Sequence, residues 1–93
     1  MDLATGIQAF VRAAEHGSFT RAARALGVTP SGIGKTIGRL EAELGVRLLA
    51  RTTRRVTLTD DGATFFEHCR RILEDLENAK SLMSNRRATA HGR

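Results

Sequence analysis

Gly32-Ile33-Gly34-Lys35-Thr36 is the run in this 93-residue sequence that most resembles a reactive site, because Gly-Lys-Thr closes the loop that cradles nucleotide phosphates. That loop also needs a glycine at position 29 and a buried strand just before it. Position 29 is Thr, and the residues upstream follow a helical pattern that closes at Gly27, so nucleotide hydrolysis is not expected. A hydrolytic triad fares no better. Ser18, His16 and Asp61 are present, but nothing in their spacing orders them as nucleophile, base and orienter. The one cysteine, Cys69, and the histidines His16, His68 and His91 lack zinc-ligand spacing, so no metal or other cofactor is expected and the chain does not read as an enzyme.

The remaining polar residues suit binding to a polyanion. The formal charge is +5, and residues 1–59 hold all of the excess, with nine Lys/Arg against four Asp/Glu. Residues 60–93 balance six against six. Each phosphate that such a surface neutralises releases condensed counterions. The only aromatic residues are four Phe, which leaves out the stacking platforms of single-strand and RNA readers and keeps duplex DNA as the nucleic-acid partner. No run approaches the roughly 20 apolar residues of a membrane span, and the N-terminus lacks the pattern of a secretory leader, so a cytoplasmic location is expected.

The elements that hold these groups follow from periodicity. Leu3, Ile7, Phe10, Val11 and Ala14 form one stripe of a first helix that ends at Gly17. Ser18 caps a second, short helix with Phe19, Ala22, Ala23 and Leu26 inward, closed by Gly27. Thr29 as cap and Pro30 at the first helical position open a third helix, whose Ile33, Ile37, Leu40 and Leu44 share one face. Opposite them stand Ser31, Lys35, Gly38 and Arg39, flanked by Gly32 and Thr36 and free of carboxylates. Val46–Leu49 and Val56–Thr59 are short strand candidates around a polar, basic tip at 50–55.

The expected architecture is therefore mainly α: a winged helix-turn-helix over 1–59, built of three helices and a short β-hairpin wing. A long linker helix follows over 60–84, and a polar tail at 85–93 is expected to be disordered. In the long helix Phe65, Cys69, Ile72, Leu76, Ala79 and Met83 repeat with a period of about 3.5, a seam suited to a second subunit. Phe66 and Leu73 form a second stripe beside it. The alternative is one wide stripe packed only on the chain's own core.

In a helix-turn-helix the second helix enters the major groove N-terminal end first, which assigns roles. Lys35 and Arg39 can reach guanine O6 and N7 or phosphate, and Ser31 and Thr36 can bond base edges or phosphate. Thr29 and Pro30 bring a helix N-terminus to the backbone, where Ser18, Thr20 and Arg21 are further phosphate contacts. Arg51, Thr52, Arg54 and Arg55 make the wing, and an arginine there suits a narrow A·T-rich minor groove. Three glycines in one helix are costly at about 1 kcal/mol each. Gly32 and Gly38 face outward and would admit DNA closely, while Gly34 lies at the edge of the core stripe and fits either close DNA approach or helix packing. A winged helix used only for protein contact would carry apolar or acidic residues on this face.

The ordered set Gly17-Ser18-Phe19-Thr20-Arg21-Ala22-Ala23, Leu26-Gly27-Val28-Thr29-Pro30-Ser31, Ile37, Arg39-Leu40-Glu41, Leu44-Gly45-Val46-Arg47-Leu48-Leu49, Arg51-Thr52-Thr53-Arg54, Leu58-Thr59 and Gly62 resembles the N-terminal domain of LysR-type transcriptional regulators. The likeness runs from Leu3 to Met83. It implies a winged helix-turn-helix, a linker helix that pairs in a homodimer, and binding to interrupted inverted repeats at promoters, with Lys35, Thr36 and Arg39 facing DNA. The sequence departs from the family pattern at Gly32, where Ala is frequent, and at Gly34, where a Ser commonly contacts DNA. Members continue into an effector-binding domain, so this chain is expected to be the DNA-binding part of a longer regulator, the alternative being a naturally short protein, with any small-molecule effector bound elsewhere.

Overall fold

Four helices and one hairpin follow in the order α1 (Leu3–His16), α2 (Phe19–Leu26), α3 (Pro30–Leu44), β1 (Leu49–Arg51), β2 (Val56–Leu58) and α4 (Asp60–His91). The computed structural model describes residues 2–52 and 55–91, with side chains through Arg87. Each of the first three helices opens on a side-chain cap that satisfies an otherwise unpaired amide. Asp2 accepts from the Thr5 N–H at 2.7 Å, Ser18 from Arg21 at 3.2 Å and Thr29 from Gly32 at 3.0 Å. The Thr5 hydrogen bonds also hold the Asp2 carboxyl below its usual range. Gly27 closes α2 at φ 70°, and this left-handed residue lets a turn of three residues carry the chain into α3.

The core gathers between α1, α2, α3 and the start of α4, around the fully buried Phe10, Val11, Ile33, Ile37, Leu40, Leu48, Leu49 and Cys69. Phe10 stands 5.6 Å from Phe65 and meets Phe66 edge-on at 6.2 Å, which fixes the first turns of α4 on α1. In the hairpin Leu49 pairs with Leu58, Ala50 with Thr57 and Arg51 with Val56, antiparallel. Thr59 ties hairpin to helix: its amide donates to the Leu48 carbonyl at 3.0 Å, its hydroxyl donates to the Arg47 carbonyl at 2.6 Å, and the same oxygen accepts from Gly62 at 2.9 Å.

The structure departs from the sequence reading in four places. Val46, Arg47 and Leu48 are not in a strand; β1 begins only at Leu49, because Leu48 and Leu49 turn inward and give their amides to Glu41. Leu44 is 40% exposed, and Glu41 takes the buried place on the last turns of α3. The long helix does not stop at position 84 but runs to His91. Apolar periodicity stops at Met83, but Arg86, Arg87, Ala88 and Ala90 are good helix formers with no Gly or Pro among them, so backbone propensity carries the helix through His91 in place of the disordered tail expected there. Gly92 and Arg93 lie outside the described residues.

The fourth departure concerns the expected dimer seam. Cys69 is wholly buried in the chain's own core, and Phe65 packs against that core, so neither is a free interface residue. A seam of period 3.5 drifts around a straight helix, and its first two members fall on the side that α1 already covers. Phe66 and Leu73 share that inward side. Ile72, Leu76 and Met83, by contrast, are 45%, 54% and 62% exposed, and Ala79 is exposed with them.

Candidate nucleic-acid interface

Helix α3 displays the groups expected of a reading head. Thr29 occupies the cap and Pro30 the first turn, and the Ser31 hydroxyl lies 3.4 Å from that of Thr29. Ser31, Lys35 and Arg39 are exposed on the side away from Ile33, Ile37 and Leu40, with Gly32, Thr36 and Gly38 half-buried beside them. Between Pro30 and Leu40 the helix has no carboxylate to oppose an incoming phosphate. Among the described residues the ion pairs formed by arginine involve Arg12, Arg47 and Arg70, so those of this face keep their full charge toward solvent.

The start of α2 and the root of the wing converge on one rim. Ser18, Arg21, His16 and Arg55 line a single polar hollow together with Glu15, which is itself tied to Arg12 at 2.8 Å. The Val56 amide donates to the Gly17 carbonyl at 3.2 Å, and this bond holds the second strand against the turn between α1 and α2. Thr20 is exposed next to Arg21. Thr52 and Arg55 close the base of the loop, with the Thr52 amide donating to the Arg55 carbonyl at 2.9 Å and the Arg55 amide donating to the Thr52 hydroxyl at 3.1 Å. Arg54, expected at the tip, lies outside the described residues.

Two candidates sit differently from the rest. Gly34 does not look outward: a Cβ built there would meet the Phe19 ring at 3.5 Å and the Arg51 guanidinium at 3.9 Å. Arg51 folds back from the strand, with its guanidinium carbon 4.8 Å from the centre of the Phe19 ring. The remaining candidates, Ser18, Thr20, Arg21, Thr29, Pro30, Ser31, Gly32, Lys35, Thr36, Arg39, Thr52 and Arg55, lie on α2, α3 and the wing.

Sequence reasoning passed over one residue that governs this geometry. In the sequence Glu41 stands out only as the end of the Arg39-Leu40-Glu41 run, with no role assigned to it. It is 8% exposed, and its Oε2 accepts from the Leu48 and Leu49 amides at 2.8 and 3.1 Å while Arg47 Nε stands 3.6 Å away. The signal was present: Glu41 comes directly after Leu40 and four residues after Ile37, so it occupies the inward side of α3.

Residues 5–63 match the family model of bacterial regulatory helix-turn-helix proteins, lysR family. Two Pseudomonas aeruginosa proteins are similar to the chain: an HTH-type transcriptional repressor of strain UCBPP-PA14, 41% identical over 93 residues, and the HTH-type transcriptional regulator PtxR, 47% identical over 87 residues. These matches cover 100% and 94% of this chain but 29% and 28% of the relatives, so the chain spans under a third of their length. Among solved structures, the BenM DNA-binding domain on benA site 1 DNA superposes with a TM-score of 0.82 at 30% identity, covering 91% of this chain and 94% of that one. The CbnR DNA-binding domain bound to DNA gives 0.75 at 36% identity, covering both chains fully at 100%. The family model covers more than half of the chain and the superpositions extend over its helices and hairpin, so the chain belongs to the LysR family of bacterial regulatory helix-turn-helix proteins, as a winged-helix DNA-binding domain.

Proposed function

We propose that the chain binds duplex DNA sequence-specifically, as a homodimer on an interrupted inverted repeat at a promoter. It does so as the DNA-binding part of a cytoplasmic transcriptional regulator. The observation that carries this reading is the outer face of α3 from Pro30 to Leu40, free of carboxylates, with Ser31, Lys35 and Arg39 displayed on it, Arg51 beside it at Gly34, and Arg21 and Arg55 sharing the hollow at the turn between α1 and α2. Arg39 and Lys35 read base edges in the major groove, the α2 start grips phosphate, and the wing lies beside the adjacent minor groove. Thr36 and the helix opening at Thr29 and Pro30 complete the contact, with Gly32 and Gly38 admitting the DNA closely.

The pairing surface on α4 is Ile72, Leu76, Ala79 and Met83, apolar side chains that a single copy leaves to solvent. Two copies joined there carry two reading heads, which fits a repeat with half-sites spaced by whole turns of the duplex. A small-molecule effector belongs to the remaining two-thirds of the relatives' length, outside this chain. The chemistry is binding, with no catalytic role.

The test is selection of bound sites from a random duplex library, followed by anisotropy titration on the selected site and on bulk DNA. A two-fold related site with steep salt dependence is expected. Arg39→Ala should weaken binding to that site by about 1–3 kcal/mol and bulk binding by less. No preference for any sequence at low salt would overturn the reading.

A further inference from the structure

Arg51 ends β1, yet its guanidinium leaves the wing and lies over Phe19, the first residue of α2, at 4.8 Å from the ring centre. The same ring lies along α3 at Gly34, where a Cβ would stand 3.5 Å from ring carbon Cε2 and 3.9 Å from Arg51 Nη1. Strand, turn and reading helix therefore meet at one point. The absence of a side chain at position 34 leaves the guanidinium resting beside bare helix backbone. A cation over a ring face engages the charge and does not use up the N–H donors, which stay available for hydrogen bonds. Among the described residues no carboxylate pairs with Arg51.

We infer that Phe19 is a positioning residue for DNA recognition: it holds Arg51 beside the reading helix, so that the strand supplies α3 with a base-reading guanidinium on the flank where Gly34 offers no side chain. The inference rests on the duplex-binding function proposed above. Its physical basis is the difference between a held and a free arginine. A guanidinium that swings freely follows any phosphate and carries no sequence information, whereas a fork held in one place matches the two acceptors of one base edge and not another. Phe19 thus acts on selectivity through Arg51, in addition to packing against the core.

The experiment uses the whole chain and compares dissociation constants for the library-selected site and for random duplex of equal length, across a salt series. Phe19→Leu keeps an apolar side chain but removes the ring face. It should lower the ratio of specific to bulk affinity by about threefold while leaving bulk binding and its salt slope unchanged. Phe19→Tyr should restore the ratio. Arg51→Lys, on the exposed surface, keeps the charge but loses the fork, and should lower the ratio by about tenfold even if Phe19→Leu proves too unstable to purify. The double variant Phe19→Leu with Arg51→Lys should lose no more than Arg51→Lys alone, since both act on one contact.

An unchanged ratio in Arg51→Lys, or a Phe19→Leu variant that shifts only melting temperature or weakens both affinities equally, would overturn the inference and leave the proposed function standing. A wild-type ratio of one would overturn both.

Discussion

The carboxylate of Glu41 takes the Leu48 amide at 2.8 Å, so the inner face of the reading helix is bonded directly to the segment that leads into the wing. The same oxygen takes the Leu49 amide at 3.1 Å. Helix α3 and the hairpin are thereby set in one orientation relative to each other, as the proposed contact with two grooves requires. Glu41→Ala would strand two buried amides at a cost of about 1–3 kcal/mol each. Urea unfolding should show a loss near the sum for Glu41→Ala. Glu41→Gln, which keeps a carbonyl acceptor of the same reach, should lose about 1 kcal/mol. Equal losses would mean that charge, through Arg47, matters more than the acceptor.

Gly62 approaches the Leu48 backbone so closely that a Cβ would fall 1.9 Å from its carbonyl oxygen. The three nearest atoms all belong to the Leu48 main chain, so none can rotate away. Gly62→Ala should destabilise the chain by about 3 kcal/mol, the upper range for overpacked positions. The measurement is thermal unfolding by circular dichroism, and an unchanged melting temperature would show that α4 does not seat on Leu48.

Gly38 is the opposite case, because a Cβ there meets nothing within 4 Å. Gly38→Ala should raise stability by about 1 kcal/mol through helix propensity. If the outer face of α3 lies against DNA, the same change should weaken duplex binding, so stability and affinity move in opposite directions. Affinity that holds or rises with stability would place Gly38 away from the DNA.

Burial pushes the Cys69 thiol up from 9.0 to about 11. The unfolded chain loses this proton first as the pH rises, so the native state holds more protons through the interval and stability falls between those two values. A shift of this size corresponds to roughly 3 kcal/mol. Denaturant titrations at pH 8 and 11 should show that loss in the wild type, and Cys69→Ala should lack its share of it. The buried thiol should also resist alkylation at neutral pH until the protein unfolds.

Ile72→Glu places a charge on an exposed residue of α4 and leaves Cys69 and Phe65 untouched in the core. Sedimentation should report monomers with an unchanged circular dichroism spectrum and weakened binding to the two-fold site. A dimer that survives would move the pairing surface off this side of the helix.

The elements were legible in the sequence because caps and closing glycines act over three or four residues, a range a linear reading captures. Ser18, Thr29, Gly17 and Gly27 bound their helices as their chemistry requires. The basic outer face of α3 was legible for a similar reason, since helical periodicity sorts inward from outward side chains without a partner in view. The far end of α4 was not, because the apolar repeat stops at Met83 while the helix continues to His91 on backbone propensity alone.

What the sequence by itself determined is the sign and content of the candidate site: Lys35 and Arg39 on a face free of carboxylates from Pro30 to Leu40, presented by a helix that Thr29 and Pro30 open. What only the tertiary structure decided is how that face is framed. Glu41 turns in to hold the wing, Cys69 leaves the seam for the core, and Arg51 comes back over Phe19 to Gly34. Each of these joins residues on different elements. Such contacts depend on how helices and hairpin pack around Phe10 and Leu48, and no spacing along the chain encodes them.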